Sequence, residues 1–307
     1  MHGVDERVSV LIPAYNVERW IAAAIDSALA QDHPAIEVVV VDDGSTDGTA
    51  AIVESYADRV VFVRQANRGL AGARNTALRH ASGSIIGLLD ADDVWAPTRT
   101  SRAISLLRAD PGLGVVTTDA WLIEGDRPTD RRFYGDWHGV EFALGDQLGA
   151  IANHNFVFVG AYIRRELFER HGTFDENLRR AEDYDLWVRF LLGGERFGIV
   201  DEPLAGYRVR PDSLSADPRV QREAHLTVLA KHLHPLWVRA ARGRPGDAYD
   251  VGRLLESRGD AKGAARAFAL GARDRRLSTA AQVKQVGAAL RARLGTRRVT
   301  TTARDGG

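Results

Sequence analysis

The chain contains no cysteine. That excludes disulfides and thiolate metal sites, and it fits a reducing compartment. Long apolar runs are missing as well: no stretch approaches the ~20 residues needed to span a bilayer. The opening Met1-His-Gly-Val-Asp-Glu-Arg7 runs straight into a strand and lacks a signal-peptide pattern. The expected setting is cytoplasmic, with any membrane contact peripheral and at the inner face. Net charge is absent too, since 41 Lys+Arg balance 41 Asp+Glu.

That balance hides an asymmetry. Residues 219–307 hold 19 basic and 7 acidic residues, a net +12, and residues 1–218 carry the compensating −12. The split predicts a boundary near residue 215. A basic C-terminal part can meet nucleic acid or an anionic membrane, or dock on its own acidic domain. Nothing else in the chain points to nucleic acid, so peripheral contact with a membrane or a protein is the expectation kept.

What remains is ordinary globular material, 45% hydrophobic and 27% charged over 307 residues, enough for one large domain or two smaller ones. Val8–Ile12 reads as a short apolar strand closed by Pro13 and Asn16. A helix over 17–30 follows, with Trp20, Ile21, Ile25 and Leu29 at helical spacing. Ile36–Val41 is a second buried strand, and then come a helix over 49–57, a strand over 60–63 and a helix over 70–80. Ser84–Leu89 is another near-continuous apolar run. Such alternation predicts an α/β fold with a mostly parallel sheet flanked by helices. Right-handed crossovers would bring the strand C-termini to one edge, where such sheets bind ligands.

Three loops then converge: Pro13–Asn16, Asp42–Thr49 and Asp90–Asp93. The middle one lacks both Gly-x-Gly-x-x-Gly and a Gly-Lys-Ser/Thr ending, so the usual dinucleotide and P-loop cradles are excluded there. It offers acids instead. Ser45 and Asp47 fit caps of the next helix, while Asp42 and Asp43 sit where a carboxylate can accept from a nucleoside or close a solvated turn. Asp90 and Asp92, if extended geometry persists, point to the same side. Two converging carboxylates call for a hard cation, Mg²⁺ or Mn²⁺, held with substrate phosphates, or they form a plain acidic turn. A calcium EF-hand is disfavoured by Val94 and Trp95. In Asn67–Asn75, Gly69 and Gly72 permit close approach, and Arg74 can pair with a phosphate or form an internal salt bridge.

Further on, Arg180-Ala-Glu-Asp-Tyr-Asp-Leu-Trp187 opens a helix whose first turn carries Glu182 and Asp183. Its positive end favours an ionised carboxylate, suited either to general-base work or to complementing the dipole. Between Glu124 and Ala152 the pattern is irregular. Phe133, Tyr134, Trp137 and His138 there suit sugar stacking or lid packing, and His154 reads as structural. The last third is helical. Asp247–Ser257 and Ala261–Arg273 resemble a single tetratricopeptide-type helix pair, which must pack on the first domain or on another chain. A further amphipathic helix is expected over 280–294.

Four segments in order resemble the family 2 glycosyltransferases, with their nucleotide-binding GT-A fold: Val8–Asn16, Val39–Gly48, Asn67–Asn75 and Leu88–Trp95. The resemblance covers residues 7–215. It implies a GT-A domain over 1–215, with a donor half to about 123 and an acceptor half from about 124. An all-α extension over 216–295 and a disordered tail over 296–307 would follow. It also implies a nucleotide-sugar donor, a saccharide, lipid-linked or other hydroxyl acceptor, inversion at the transferred sugar, and a divalent cation, Mn²⁺ or Mg²⁺, at Asp92 and Asp90. Pro13, Tyr15, Asp42, Asp43, Asn67, Gly69, Arg74, Asp90 and Arg210 would shape the donor pocket. Glu182 and Asp183 match the acceptor-side acidic pair, with Asp183 the base. One position departs: Arg210 stands where metal-dependent members commonly carry a histidine, and an arginine pairs with a diphosphate but ligates no metal. A nucleotidyltransferase remains open as an alternative, although Pro13–Asn16 lacks the glycine-rich basic loop such enzymes use. So does a helical scaffold with a vestigial site.

Overall fold

The computed structural model describes residues 6–137, 139–213, 216–240, 247–272, 284–286 and 288–289. The chain forms two compact units. The first comprises residues 1–147 and 156–216, and the second residues 148–155 and 217–307.

The first unit opens with β1 (Val8–Ala14), α1 (Ile21–Leu29), β2 (Ile36–Asp42), α2 (Thr49–Glu54), β3 (Val61–Arg64), α3 (Gly69–His80) and β4 (Ile85–Leu88). There follow β5 (Val94–Trp95), α4 (Arg99–Ala109), β6 (Leu113–Glu124), β7 (Arg127–Arg132) and the short turn α5 (Phe133–Asp136). After α6 (Gln147–Ile151), of which all but Gln147 belongs to the second unit, come β8 (Tyr162–Arg164), α7 (Glu166–His171), α8 (Glu182–Leu192) and β9 (Arg196–Val209). All strands join one sheet in the order β3-β2-β1-β4-β8-β6-β9-β5, with β7 also on β6.

The sheet changes character midway. β3, β2, β1 and β4 are mutually parallel, and β8 enters antiparallel between β4 and β6. β1 is buried along its whole length, as its unbroken apolar run requires of a strand covered on both faces. Parallel register pairs Ala14 with Asp42 and Leu11 with Leu88, so the ends of β2, β1 and β4 lie on one edge.

The stretch expected to be irregular after Glu124 is partly a strand. β7 reads Arg-Pro-Thr-Asp-Arg-Arg, a polar edge with no apolar alternation to mark it. Its last residue is fastened by Arg132 Nε donating to the buried Asp119 carboxylate. The aromatics beyond it settle as packing. Phe133 lies 5.0 Å from Phe158 and 5.6 Å from Tyr207, and Tyr134 Oη donates to the Phe156 carbonyl and accepts from Phe158 N–H. His138 lies outside the described residues.

In the second unit α9 (Pro218–Ala240), α10 (Asp247–Ser257) and α11 (Ala261–Gly271) follow one another. The expected helix pair is present as α10 and α11, with Phe268 filling the space beside Gly252 and Tyr249 at 5.5 Å from its ring. Arg222 on α9 pairs with Asp247 at 2.5 Å and Asp250 at 3.1 Å. Of the expected helix over 280–294, only 284–286 and 288–289 are described, and these are helical. The tail over 296–307 lies outside the described residues.

One glycine decides how β4 enters the sheet. A Cβ on Gly83 would come within 2.5 Å of the Arg7 carbonyl and 2.7 Å of Ser9 N, both backbone atoms that have no room to yield. Gly83→Ala should lower stability by about 1–3 kcal/mol, as overpacking of this kind does. Urea unfolding followed by circular dichroism measures it, and an unchanged midpoint would contradict the account.

Candidate active site

The first two loops are stitched together before any ligand arrives. Asn16 N–H donates to Ser45 Oγ at 3.0 Å, and Asn16 Oδ1 accepts from Thr46 N–H at 2.8 Å. Val17 N–H donates to Thr49 Oγ1 at 2.9 Å, and Glu18 N–H to Asp47 Oδ2 at 3.2 Å. Ser45 therefore does not cap α2 as expected, because its hydroxyl serves the neighbouring loop. Asp47 does both: its other oxygen accepts from Thr49 N–H at 3.0 Å. Pro13 lies within β1, and Tyr15 beyond it stands 50% exposed at the strand end.

Asp42 and Asp43, both assigned to the nucleoside, are buried and engaged with the protein. Asp42 Oδ1 accepts from Ser45 N–H at 3.0 Å, and its Oδ2 lies 3.1 Å from Arg64 Nε. Asp43 fastens the start of α3. It accepts from Arg68 N–H and Gly69 N–H, each at 2.8 Å, and from Gln65 Nε2 at 2.6 Å. Asn67 Oδ1 also accepts from Gly69 N–H, at 3.2 Å. Gly69 has φ +78° and open space where a Cβ would stand, so this helix start presents bare backbone.

Arg74 is where structure and sequence part most. Expected at a phosphate, it is only 1% exposed and forms the internal alternative. Its Nη2 donates to Asp90 Oδ1 at 2.7 Å and its Nη1 to Glu182 Oε1 at 2.5 Å. Burial opposes its charge, but Asp90, Glu182 and Asp183 together hold the guanidinium more firmly protonated than usual. Next to it, Asn75 clamps the segment leading to α8: its Oδ1 accepts from Phe174 N–H at 3.0 Å and its Nδ2 donates to Glu176 at 2.9 Å. Ala181, just before α8, has φ +58°. Among the described residues, it and Asn16 (φ +52°) are the non-glycine residues with positive φ, and both border the loops of this site.

The acidic turn after β4 does not stay extended. Asp93 N–H donates to the Asp90 carbonyl at 3.0 Å, so the expected same-side geometry of Asp90 and Asp92 gives way to a turn. Each carboxylate finds an arginine: Asp90 finds Arg74, and Asp92 finds Arg210 at 2.9 Å. Asp93 is buried and accepts from Arg208 N–H at 2.8 Å. Burial, then the charges of Asp92 and Asp90, push Asp93 well above the ordinary carboxylate range. Arg208 Nε also donates to the Asp92 carbonyl at 2.8 Å. Sequence reasoning missed Arg208, because it lies near the end of β9 while Arg210 stands just past that end, so strand alternation does not link the two.

Among the described residues, no group of three or more His, Cys, Asp or Glu is arranged to hold a metal ion. The donor set nevertheless fits a hard cation. Asp90 and Asp92 offer carboxylate oxygens, and burial followed by the charge of Asp90 raises Asp92, a repulsion that a further positive charge relieves. Two carboxylates with substrate phosphates and water are the usual ligands of Mg²⁺.

The family model described as glycosyl transferase family 2 matches residues 9–172. The uncharacterized glycosyltransferase EpsJ of Bacillus subtilis (strain 168) is 35% identical over 219 residues, 69% of this chain and 63% of that protein. The succinoglycan biosynthesis protein ExoU of Rhizobium meliloti (strain 1021) is 34% identical over 228 residues, 69% of this chain and 65% of that one. The chain thus spans a little under two thirds of these relatives' lengths. Among solved structures, the mannosyltransferase PcManGT from Pyrobaculum calidifontis, in complex with GDP-Man and Mn²⁺, superposes with a TM-score of 0.63 at 26% identity, covering 96% of this chain and 83% of that one. The sheet and its helices have the GT-A fold that the sequence led us to expect.

The buried carboxylate carries a pH signature. Burial raises Glu182 from 4.5 to about 7, against the pull of Arg74 and with the help of Asp183. The folded state holds this proton more tightly than the unfolded state. The stability it contributes is therefore full below 4.5 and lost as pH rises through about 7. Relative to Glu182→Gln, the wild-type chain should lose stability across that window in urea unfolding. A pH-independent difference would contradict the assignment.

Proposed function

Because the chain belongs to glycosyl transferase family 2, we propose that it moves a sugar from a nucleotide-diphosphate-sugar to an acceptor hydroxyl in one inverting displacement. The observation that carries this reading is the Arg74 bridge. One guanidinium links Asp90, at the strand edge where α/β sheets take nucleotides, to Glu182, beside Asp183 in the first turn of α8. The two halves of a transfer site thereby share one ion-pair network.

Asp183 is the general base. It stands in the first turn of a helix, whose positive end favours an ionised carboxylate able to take the acceptor hydroxyl proton. The acceptor oxygen then bonds to the anomeric carbon as the bond to the diphosphate oxygen breaks, and the nucleoside diphosphate leaves. Glu182 holds Arg74 in place beneath the base. Pro13, Tyr15, Asp42, Asp43, Asn67 and Gly69 shape the nucleoside end, and Arg210 faces the diphosphate. Asp92 and Asp90 would hold a divalent cation, Mn²⁺ or Mg²⁺, whose contribution is to neutralise charge on the departing diphosphate. The Mn²⁺ and GDP-Man bound by PcManGT support the cation and the donor class, and the naming of ExoU for succinoglycan biosynthesis supports a polysaccharide acceptor. No described helix is long and apolar enough to cross a membrane, and the basic C-terminal part is proposed as the peripheral contact.

Two measurements separate binding from chemistry. Melting temperature against UDP-, GDP-, TDP- and CDP-sugars, with and without Mn²⁺, should rise for one nucleotide. A ligand at 100 times its dissociation constant stabilises by about 2.7 kcal/mol. Asp183→Asn should keep that shift and lose about 10²- to 10⁴-fold in turnover, the usual contribution of a general base. Absence of a shift with every one of these donors would leave a scaffold role as the better reading, and full turnover in Asp183→Asn would remove that residue as the base.

A further inference from the structure

Arg210 is held by more than its carboxylates. Its guanidinium lies 4.0 Å from the centroid of the Trp20 ring, with Arg208 at 5.8 Å and Arg19 at 5.6 Å around the same indole. Trp20 is fixed from its own side. Its N–H donates to the Val17 carbonyl at 2.9 Å, its carbonyl accepts from Ala24 N–H at 3.1 Å, and its side chain packs on the core. The indole Nε1 is buried without a hydrogen-bond partner. A tryptophan kept there for its N–H would have an acceptor, so what this site uses is the ring face. The other partner of Arg210, Asp212, is 71% exposed, and exposed pairs hold a side chain weakly.

We propose that Trp20 is a positioning residue for Arg210, and that the guanidinium so held competes with a divalent cation for the Asp92 carboxylate. The chain carries its own counter-charge for the diphosphate, and Mn²⁺ must compete with it for Asp92. An arginine cannot ligate a metal, so a guanidinium on Asp92 draws on the same carboxylate charge that a cation there would use. Stacking on the indole tips that competition toward the arginine. The nucleotide arm of this inference rests on the donor-site reading above; the metal arm does not.

The test uses the full chain and two probes. Mn²⁺ alone is titrated by electron paramagnetic resonance, and UDP and GDP are titrated calorimetrically in EDTA. Trp20→Leu frees Arg210, and the two readouts should move in opposite directions. Mn²⁺ binds about tenfold more tightly, and metal-free nucleotide about tenfold more weakly, the scale of a desolvated cation–π contact. Trp20→Phe, which restores a ring face, should return both toward wild type. Arg210→Gln should reproduce the tightening for Mn²⁺, and adding Trp20→Leu to it should change nothing further. A merely structural role for Trp20 would weaken both ligands together, and that outcome overturns the proposal, as does a Trp20→Leu chain that behaves like wild type. If the wild-type chain binds neither nucleotide and none of the four nucleotide-sugars raises its melting temperature, the transferase reading fails while the Mn²⁺ titration still decides the role of Trp20.

Discussion

A buried guanidinium with carboxylates on both sides is the constraint around which this site is built. Arg74 cannot leave its place without stranding Asp90 and Glu182, and removing one partner of a buried pair typically costs about 3–5 kcal/mol. Its position is in turn dictated by α3. Asp43 fixes the first turn of that helix through two backbone N–H groups, and Asn75 grips Phe174 and Glu176 on the way to α8. One helix therefore sets the distance between the strand-end carboxylates and the helix that carries Asp183. The acids of the first two loops act as braces for that helix and for each other.

The opposite wall follows the same logic with exposed ends. Arg208 lies near the end of β9 and Arg210 just past it, and between them they hold the backbone and side chains of the Asp92–Asp93 turn. Three acidic side chains in four residues would repel one another. The protein answers with a buried Asp93 of raised pKa, a buried arginine behind Asp90 and a stacked arginine before Asp92. Asp90 and Asp92 keep partial exposure, 27% and 23%, which is what a group meant to face a diphosphate requires.

Local pattern made most of the architecture legible. The apolar runs at Val8, Ile36 and Ile85 became β1, β2 and β4, and their common edge follows from chain direction alone. β7 escaped because an edge strand needs no apolar alternation. The internal partner of Arg74 escaped for a different reason. A phosphate is a chemically sensible use for that arginine, and the partner that engages it instead stands elsewhere in the fold: Glu182 lies 108 residues from Arg74. Spacing within a loop cannot reveal such a partner. The Asp90–Asp92 turn is similar, since alternation held only as far as the last strand residue. Neither Arg208 nor the stacking of Trp20 was readable, because β9 ends between Arg208 and Arg210 and the helical spacing of Trp20 pointed to the core.

The central claim is that Asp90 and Glu182 act as one unit through Arg74. A double-mutant cycle of Asp90→Asn and Glu182→Gln on unfolding free energy tests it most directly. Shared dependence on one guanidinium should give a coupling of about 1 kcal/mol or more, within the range found for members of one ion-pair network. Effects that add to within about 0.5 kcal/mol would mean that the two carboxylates are independent, and the bridge would then organise nothing.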